Sequence, residues 1–595
     1  MQNLKKNRAN LIYSTASILL IVMAGALLYS STLSVPFLFD DKLLVFPEDS
    51  KTNGIIDFIS SQEIFFTRPL LGLSFAVNYK ISRDSPPSYH ITNICLHLIN
   101  CVLIFFIIKN LICTVWNQPI ITDYLLSLSG ALIFLFHPLA TESVVYVSGR
   151  SSLLYTVFLL LSVYLFLNSV KKDGLKVIFF LCLSLISYCA ALASKEISVI
   201  FPLILFILVS FSSFIPSKKR LVLFFLPFLL LSFLYVTMAM PYMIGFESPD
   251  KTQRTLIMHV MTETYVFAES VLKTVFPVSL NFDPDYSDIT SPRNFRFITG
   301  AFLFCIFLLA VFYFRRKSYF ITASILWFLV SFSPHLFIRL RDYMSERWLY
   351  FPLIAVAFLP AGIFCKMVDR DKKKYFSKTL FIAAFLIVIS VYAVMTISRL
   401  SVWQSEVSIW ADAVKKSPLK FRTHANLGQA LLKEGRYDEA EKENKSAMAI
   451  NSQYAEIHYN MAEVYSNTGR DWLAIEEYNK ALQYIPYYVN AGNRVYYHAM
   501  VNMGAVYLKN KQVQKAIDAF MGAVRIDTEK PQAYNNIGIV YMSVGRLGDA
   551  ERFFLMAIEK KGDKRKAYLN LADLYIKQDR KERAWEVLRN AGLMK

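Results

Sequence analysis

NLGQALLKEGRYDEAEKENKSA, Asn426 to Ala447, decides the architecture of the last third of the chain because it returns. Its opening triplet, Asn426-Leu427-Gly428, is matched by Asn460-Met461-Ala462, Asn502-Met503-Gly504, Asn536-Ile537-Gly538 and Asn570-Leu571-Ala572, at intervals of 34, 42, 34 and 34 residues. Ala440, Ala474, Ala516, Ala550 and Ala584 keep those intervals, as do Ala447, Ala481, Ala523, Ala557 and Ala591, so one repeat carries an eight-residue insertion near Pro486–Tyr497. Small residues at fixed places suit helices whose backbones approach closely. The Leu or Tyr at 431, 465, 507, 541 and 575 fills the groove between them.

This is the period of tetratricopeptide (TPR) repeats. Five repeats with a leading half repeat, Trp403 to Pro418, are expected to stack into an α-solenoid over residues 401–595. The concave face of such an array typically holds an extended peptide, so the array says that the chain binds protein without saying which.

Working back from the repeats, the composition changes. The 595 residues leave room for two to four domains. Hydrophobic residues make up 55%, aromatic residues 15% and charged residues 18%, where soluble domains carry about a quarter charged residues. That excludes an ordinary soluble enzyme. The formal net charge of +19 comes in short clusters between apolar runs, which points to membrane topology ahead of nucleic-acid binding. All seven cysteines precede residue 400 without metal or redox spacing, so neither a disulfide nor a zinc scaffold is expected.

Apolar runs near the length that crosses about 30 Å of hydrocarbon lie at roughly 11–33, 91–109, 123–136, 151–169, 175–192, 195–213, 220–240, 297–314, 319–338, 348–366 and 377–398. Residues 1–400 are therefore expected to form an all-α membrane bundle of about eleven spans, with the first run read as an anchor that is not cleaved. The third run is the weak one, short and ending at His137-Pro138. Lys5/Lys6/Arg8, Lys171/Lys172, Lys218/Lys219/Arg220, Arg315/Arg316/Lys317 and Lys372/Lys373/Lys374 all fall in loops of one side. The positive-inside rule makes that side cytoplasmic and puts the repeats on the other.

The opposite loops carry the chemistry. Asp40-Asp41, in SVPFLFDDK, follows the first span directly, where a partly desolvated carboxylate suits a general base, although an interfacial solvated acid would look the same. Arg68 lies in FFTRPLLGLSFAVNY, an amphipathic stretch expected along the interface, where snorkelling alone could account for it. HPLATESVVYVSGRSS gathers His137, Glu142 and Arg150 in one short loop, with Pro138 starting a helix and Gly149 ending it. Lys195-Glu196 interrupts an apolar hairpin, where ionisable residues are expensive, unless the two neutralise each other. SERWLYFP places Glu346 and Arg347 just before the tenth run. Arg forks match phosphate oxygens in two hydrogen bonds, so both Arg clusters fit an anion.

Taken in order, these motifs resemble the GT-C glycosyltransferases that use polyprenyl-phosphate sugars, and among them the transmembrane and TPR-repeat O-mannosyltransferases. FDD after the first span, TRPL with FAVNY, the HP..TE..Y..GR loop, SKE, ERWLYFP and carboxyl-terminal repeats carry the resemblance. It implies a GT-C-type bundle and transfer of a hexose, mannose in the family, from polyprenyl phosphate to a Ser or Thr hydroxyl of an exported protein with inversion. It further implies Asp40 as base and Asp41 as its partner. The departing phosphate would then be met by Arg150 and Arg347, with Lys195 or Arg68 in support, and His137, Glu142, Glu196 and Glu346 would support those cations. No cofactor is required on this reading, and no ligand spacing points to a divalent metal. The short array and spare loops suggest a bacterial relative, in the inner membrane with the repeats in the periplasm; in a eukaryote the repeats would face the ER lumen. Two rivals remain at this level: a membrane-anchored TPR scaffold for an envelope assembly, and a GT-C enzyme acting on a lipid or cell-wall glycan.

Overall fold

The computed structural model describes residues 2–41, 67–116, 120–210, 218–239, 254–340, 342–370, 374–484 and 490–594. Among these, all regular structure is helical, as the sequence leads one to expect. Contacts divide the chain into a unit that runs to Ile409 and a second, Trp410–Lys595.

Among the described residues of the first unit seven helices are long and apolar enough to cross a membrane: Arg8–Ser34, Pro86–Val115, Val147–Val170, Leu175–Leu192, Phe295–Phe314, Tyr319–Leu336 and Thr379–Val402. The weak third run is half of a bent pair, Ile120–Phe136 and Pro138–Val145, which meet at 54°. Pro138 has no N–H to offer the preceding turn, so the axis breaks there. Glu196–Ser210, Val222–Met238 and Ile354–Met367 are shorter apolar helices. Each of the eleven runs is thus helical over most of its described residues, and among these length and composition alone qualify seven or eight as spans.

Val147–Val170 is central, with 67% of its apolar window buried, whereas Phe295–Phe314 is at 6%, exposing Phe302, Leu308, Leu309 and Phe312 while Phe304 and Phe307 pack on Phe267. Lipid is as apolar as Leu, so helix association in the bundle rests on close packing and internal hydrogen bonds. A Cβ on Gly130 would come within 2.4 Å of the Ala357 carbonyl, and one on Gly300 within 2.4 Å of that of Thr264. Polar ties cross the same core: Asn100 donates to the Leu153 carbonyl at 3.2 Å, and His97 Nδ1 meets the Tyr350 hydroxyl at 2.7 Å.

The second unit is the expected array. Its five helix pairs are Phe421–Lys433 with Tyr437–Ile450, Ala455–Asn467 with Asp471–Tyr484, Asn490–Lys509 with Val513–Ile526, Pro531–Ser543 with Leu547–Glu559, and Arg565–Lys577 with Lys581–Asn590. Glu406–Lys416 supplies the leading half repeat. Asn490–Lys509 has 20 residues against 13 for its counterparts, so described residues of the insertion lengthen a helix; residues 485–489 lie outside the description. The small third residue of each triplet is packed shut: a Cβ on Gly428 would meet Asn444, on Gly504 would meet Phe520, and on Gly538 would meet Phe554, all below 3.0 Å. The first helix of each pair ends in a left-handed residue, Gly435, Gly469 and Gly545 in three repeats but Lys511 and Asp579 in the other two.

Candidate functional site

The acids after the first span are turned apart by one residue. Phe39 takes φ 43°, a left-handed conformation costly for a residue with a Cβ, and its ring packs edge-on to Phe282 with centroids 6.3 Å apart. Asp40 is left partly accessible while Asp41 is fully buried. The Asp41 carboxylate accepts the Leu38 N–H at 3.0 Å, the Ser148 N–H at 2.7 Å and the Ser148 hydroxyl at 2.8 Å. Burial pushes its pKa up to about 7, and the bonds from Leu38 and Ser148 hold it from rising further. Asp41 therefore ties the first loop to the 137–150 loop through contacts inside the protein.

Tyr146 joins Asp40 to the cations. Its hydroxyl accepts the Asp40 backbone N–H at 3.2 Å, and the Arg347 guanidinium lies over its ring, 5.4 Å from the centroid. Trp403 and Phe282 wall the ring in, at 6.0 and 5.7 Å. Arg347 Nε stands 3.8 Å from Glu142 Oε1, which also accepts the Ser345 hydroxyl at 2.7 Å. Glu142 is 1% exposed, and its second oxygen has no hydrogen-bond partner among the described residues.

Lys195 belongs to the same cluster. Its ammonium donates to Ser152 Oγ at 3.2 Å, lies 5.3 Å from the Tyr155 ring centroid, and is within electrostatic range of Arg68, Glu196, Arg347 and Glu142. Burial first and the neighbouring Arg68 second depress its pKa to about 7, with Glu196 acting the other way. Glu196 does not neutralise Lys195 alone: its two oxygens take the fork of Arg68 at 3.1 and 2.9 Å. Arg68 caps the helix Pro69–Ser82, whose Leu71 and Phe75 are buried, so it is fixed in the bundle by more than snorkelling.

Four expectations need correction. Arg150 is not a surface cation. It is fully buried, and its guanidinium donates to Asn93 Oδ1 at 2.8 Å, the Ser74 carbonyl at 3.1 Å and the Tyr89 carbonyl at 3.1 Å while stacking on Phe75. Every nitrogen is engaged by protein, so Arg150 locks three helices together and does not share an anion with Arg347. Glu142 pairs with Arg347 and not with Arg150, while Glu346 reaches Arg399 at 3.4 Å and accepts the Asn281 N–H. His137 is likewise internal, its Nε2 donating to the Thr274 carbonyl at 3.0 Å and its Nδ1 accepting the Leu139 N–H at 3.2 Å. The break after it is more segmented than one Pro-to-Gly helix: Pro138–Ala140 and Val147–Gly149 are 3₁₀ turns around Thr141–Val145, and Gly149 is required because a Cβ would strike Ser143 and the Glu142 carbonyl at 2.9 Å.

Sequence reading missed Arg399 and left Tyr146 without a role. A signal existed for the first, since Arg399 is an ionisable residue near the end of an otherwise apolar span.

A family model for "TPR repeat" matches residues 428–469, and one for "Tetratricopeptide repeat" matches 455–488 and 497–530. Protein O-mannosyl-transferase F38B6.6 of Caenorhabditis elegans is 24% identical over 466 residues, 74% of this chain and 63% of that protein. Protein O-mannosyl-transferase TMTC3 of Homo sapiens is 24% identical over 456 residues, 70% of this chain and 48% of that protein. Among solved structures, the crystal structure of MamA is 24% identical with a TM-score of 0.23, covering 26% of this chain and 85% of that one. The chain spans from about half to just under two thirds of the two curated relatives' length. With its apolar helices, its ordered loop motifs and its repeats, the chain is similar, over about three quarters of its own length, to the protein O-mannosyl-transferases of the transmembrane and TPR-repeat type.

Proposed function

We propose that the chain is a membrane glycosyltransferase that moves a hexose from a polyprenyl phosphate to a Ser or Thr hydroxyl of a protein, with inversion and with Asp40 as the base. The observation that carries this reading is the junction at Tyr146, whose hydroxyl holds the backbone of the partly accessible Asp40 and whose ring lies under Arg347, a cation that shares electrostatic range of Lys195 with the Arg68–Glu196 fork.

In this mechanism Asp40 takes the proton as the acceptor oxygen attacks the anomeric carbon from the side opposite the phosphate. The new C–O bond forms while the bond to the phosphate oxygen breaks, and the polyprenyl phosphate leaves as an anion. An alcohol leaving group would need a second carboxylic acid. A phosphate needs positive charge instead, and Arg347 and Lys195 supply it in a partly desolvated setting. Glu142 fixes Arg347 and Glu196 fixes Arg68, so the cations are held before the donor arrives. The mannosyl-transferase names of the similar proteins support hexose and protein as the two substrates.

The repeats then serve to present acceptor protein, on the side of the membrane away from the basic loops: the periplasm of a bacterium, or the ER lumen of a eukaryote. A reporter active only outside the cytoplasm, fused after Lys595, tests that orientation, and activity of a cytoplasm-only reporter there would reverse it. The function itself is tested by reconstituted transfer from a defined lipid-linked hexose to protein.

A further inference from the structure

One feature of the site is not used by cation placement or by the base. His335 closes the helix Tyr319–Leu336 and is 7% exposed. Its ring lies flat on Trp348, centroids 5.2 Å apart and planes at 17°, and Trp348 follows Arg347 in the same 3₁₀ turn. Its backbone carbonyl is held by His259 Nε2 at 3.0 Å, so both ring plane and backbone are fixed. It is within electrostatic range of Lys195. Yet its Nε2 has no hydrogen-bond partner among the described residues, and neither has Oε2 of Glu142.

Both orphaned atoms belong to residues tied to the cations: Glu142 pairs with Arg347, and His335 stacks on the residue after Arg347 and lies within electrostatic range of Lys195. Buried polar groups are nearly always satisfied, by protein, by water or by a bound group. A bare phosphate completes only half of this set, because a carboxylate oxygen repels it. Hydroxyl groups complete the rest: one donates to Glu142 Oε2 and another meets His335 Nε2. The ligand that carries an anion and several hydroxyls on adjoining atoms is a glycosyl phosphate.

We infer that His335 and Glu142 bind hydroxyls of the transferred sugar, making them the residues by which the site distinguishes a sugar-bearing lipid phosphate from a bare one. This rests on the proposed donor class but not on Asp40 or on the acceptor.

Sites built to hydrogen-bond a hydroxyl discriminate by the loss of that bond. The test measures binding of a polyprenyl-phosphate hexose and of bare polyprenyl phosphate to the full chain in detergent. Glu142 also holds Arg347, so His335 is the cleaner position. His335→Phe keeps the ring on Trp348 and removes both nitrogens; His335→Gln restores a polar atom near the position of Nε2. The glycosylated lipid should bind the Phe variant roughly tenfold more weakly, with bare lipid unchanged and the Gln variant largely recovered. Equal weakening of both lipids would make His335 a packing residue, and no weakening of either would remove it from the site; each overturns the inference. Should the sugar-dependent preference hold while no transfer to protein occurs, the inference stands and the proposed reaction fails. If transfer occurs and the Phe variant binds both lipids as the wild type does, the reverse is true.

Discussion

The hydroxyl of Tyr146 accepts the backbone N–H of Asp40 at 3.2 Å, a bond between segments 106 residues apart. Because the same ring lies under Arg347, one side chain contacts both the Asp40 backbone and the Arg347 guanidinium.

Asp40 and Asp41 should separate cleanly under substitution. Asp40→Asn should leave membrane insertion and thermal stability intact and lower transfer by roughly 10²-fold or more. Asp41→Asn loses one of two acceptor oxygens that hold Leu38 and Ser148, so it should destabilise the first unit by roughly 1–3 kcal/mol. The Asp41 pKa is raised in the fold, so its contribution to stability is present in acid and lost as pH rises through about 7. The Asn variant should lack that slope in thermal unfolding measured across pH.

Arg→Lys tells the two conspicuous arginines apart. Arg347→Lys keeps charge but loses the planar fork, so it should raise the donor KM with stability nearly unchanged. Arg150→Lys strands the Asn93, Ser74 and Tyr89 acceptors inside the protein, a loss of roughly 3 kcal/mol that thermal unfolding would register. Remaining folded Arg150→Lys protein should use donor normally. A donor KM that moves with Arg150 and not with Arg347 would exchange their roles.

Lys195 gives the donor step a pH dependence of known sign. With its pKa depressed to about 7, the free enzyme loses this cation as pH rises through neutrality. The kcat/KM for donor should fall on the alkaline side, approaching tenfold per pH unit, and Lys195→Arg, charged throughout, should flatten the fall. An alkaline limb identical in both proteins would assign it to another group.

The loops of this site were only partly legible. Periodicity alone carried the repeats, since each buries the same small residues against its neighbour, and span-length apolar runs carried the bundle. The charged residues of the loops were legible as a set because charge beside a membrane is rarely idle. Their partners were not. Arg150 sits one residue from a loop and reads as exposed, yet the close approach at Gly149 turns it inward to Asn93, 57 residues away. Arg399 lies within an apolar span and finds Glu346 only in three dimensions. Pairing across distant segments is set by packing, which a linear pattern does not encode.

The repeats contain a local conflict that can be relieved. Lys511 at φ 58° and Asp579 at φ 56° stand where three other repeats use Gly. The left-handed conformation costs a residue with a Cβ roughly 1–2 kcal/mol, partly offset by the greater freedom of Gly in the unfolded chain. Lys511→Gly should therefore stabilise the array by up to about 1 kcal/mol in thermal unfolding of the full chain. A loss of stability would mean that the Lys side chain contributes more than the backbone strain removes.

The central claim is most directly met by one measurement: purified full-length chain in liposomes, given polyprenyl-phosphate hexose and an acceptor protein, with intact mass spectrometry of the acceptor. The account predicts a hexose-sized gain on Ser or Thr with the wild type and a gain at least roughly 10²-fold slower with Asp40→Asn. Transfer by the Asn variant at the wild-type rate would contradict it.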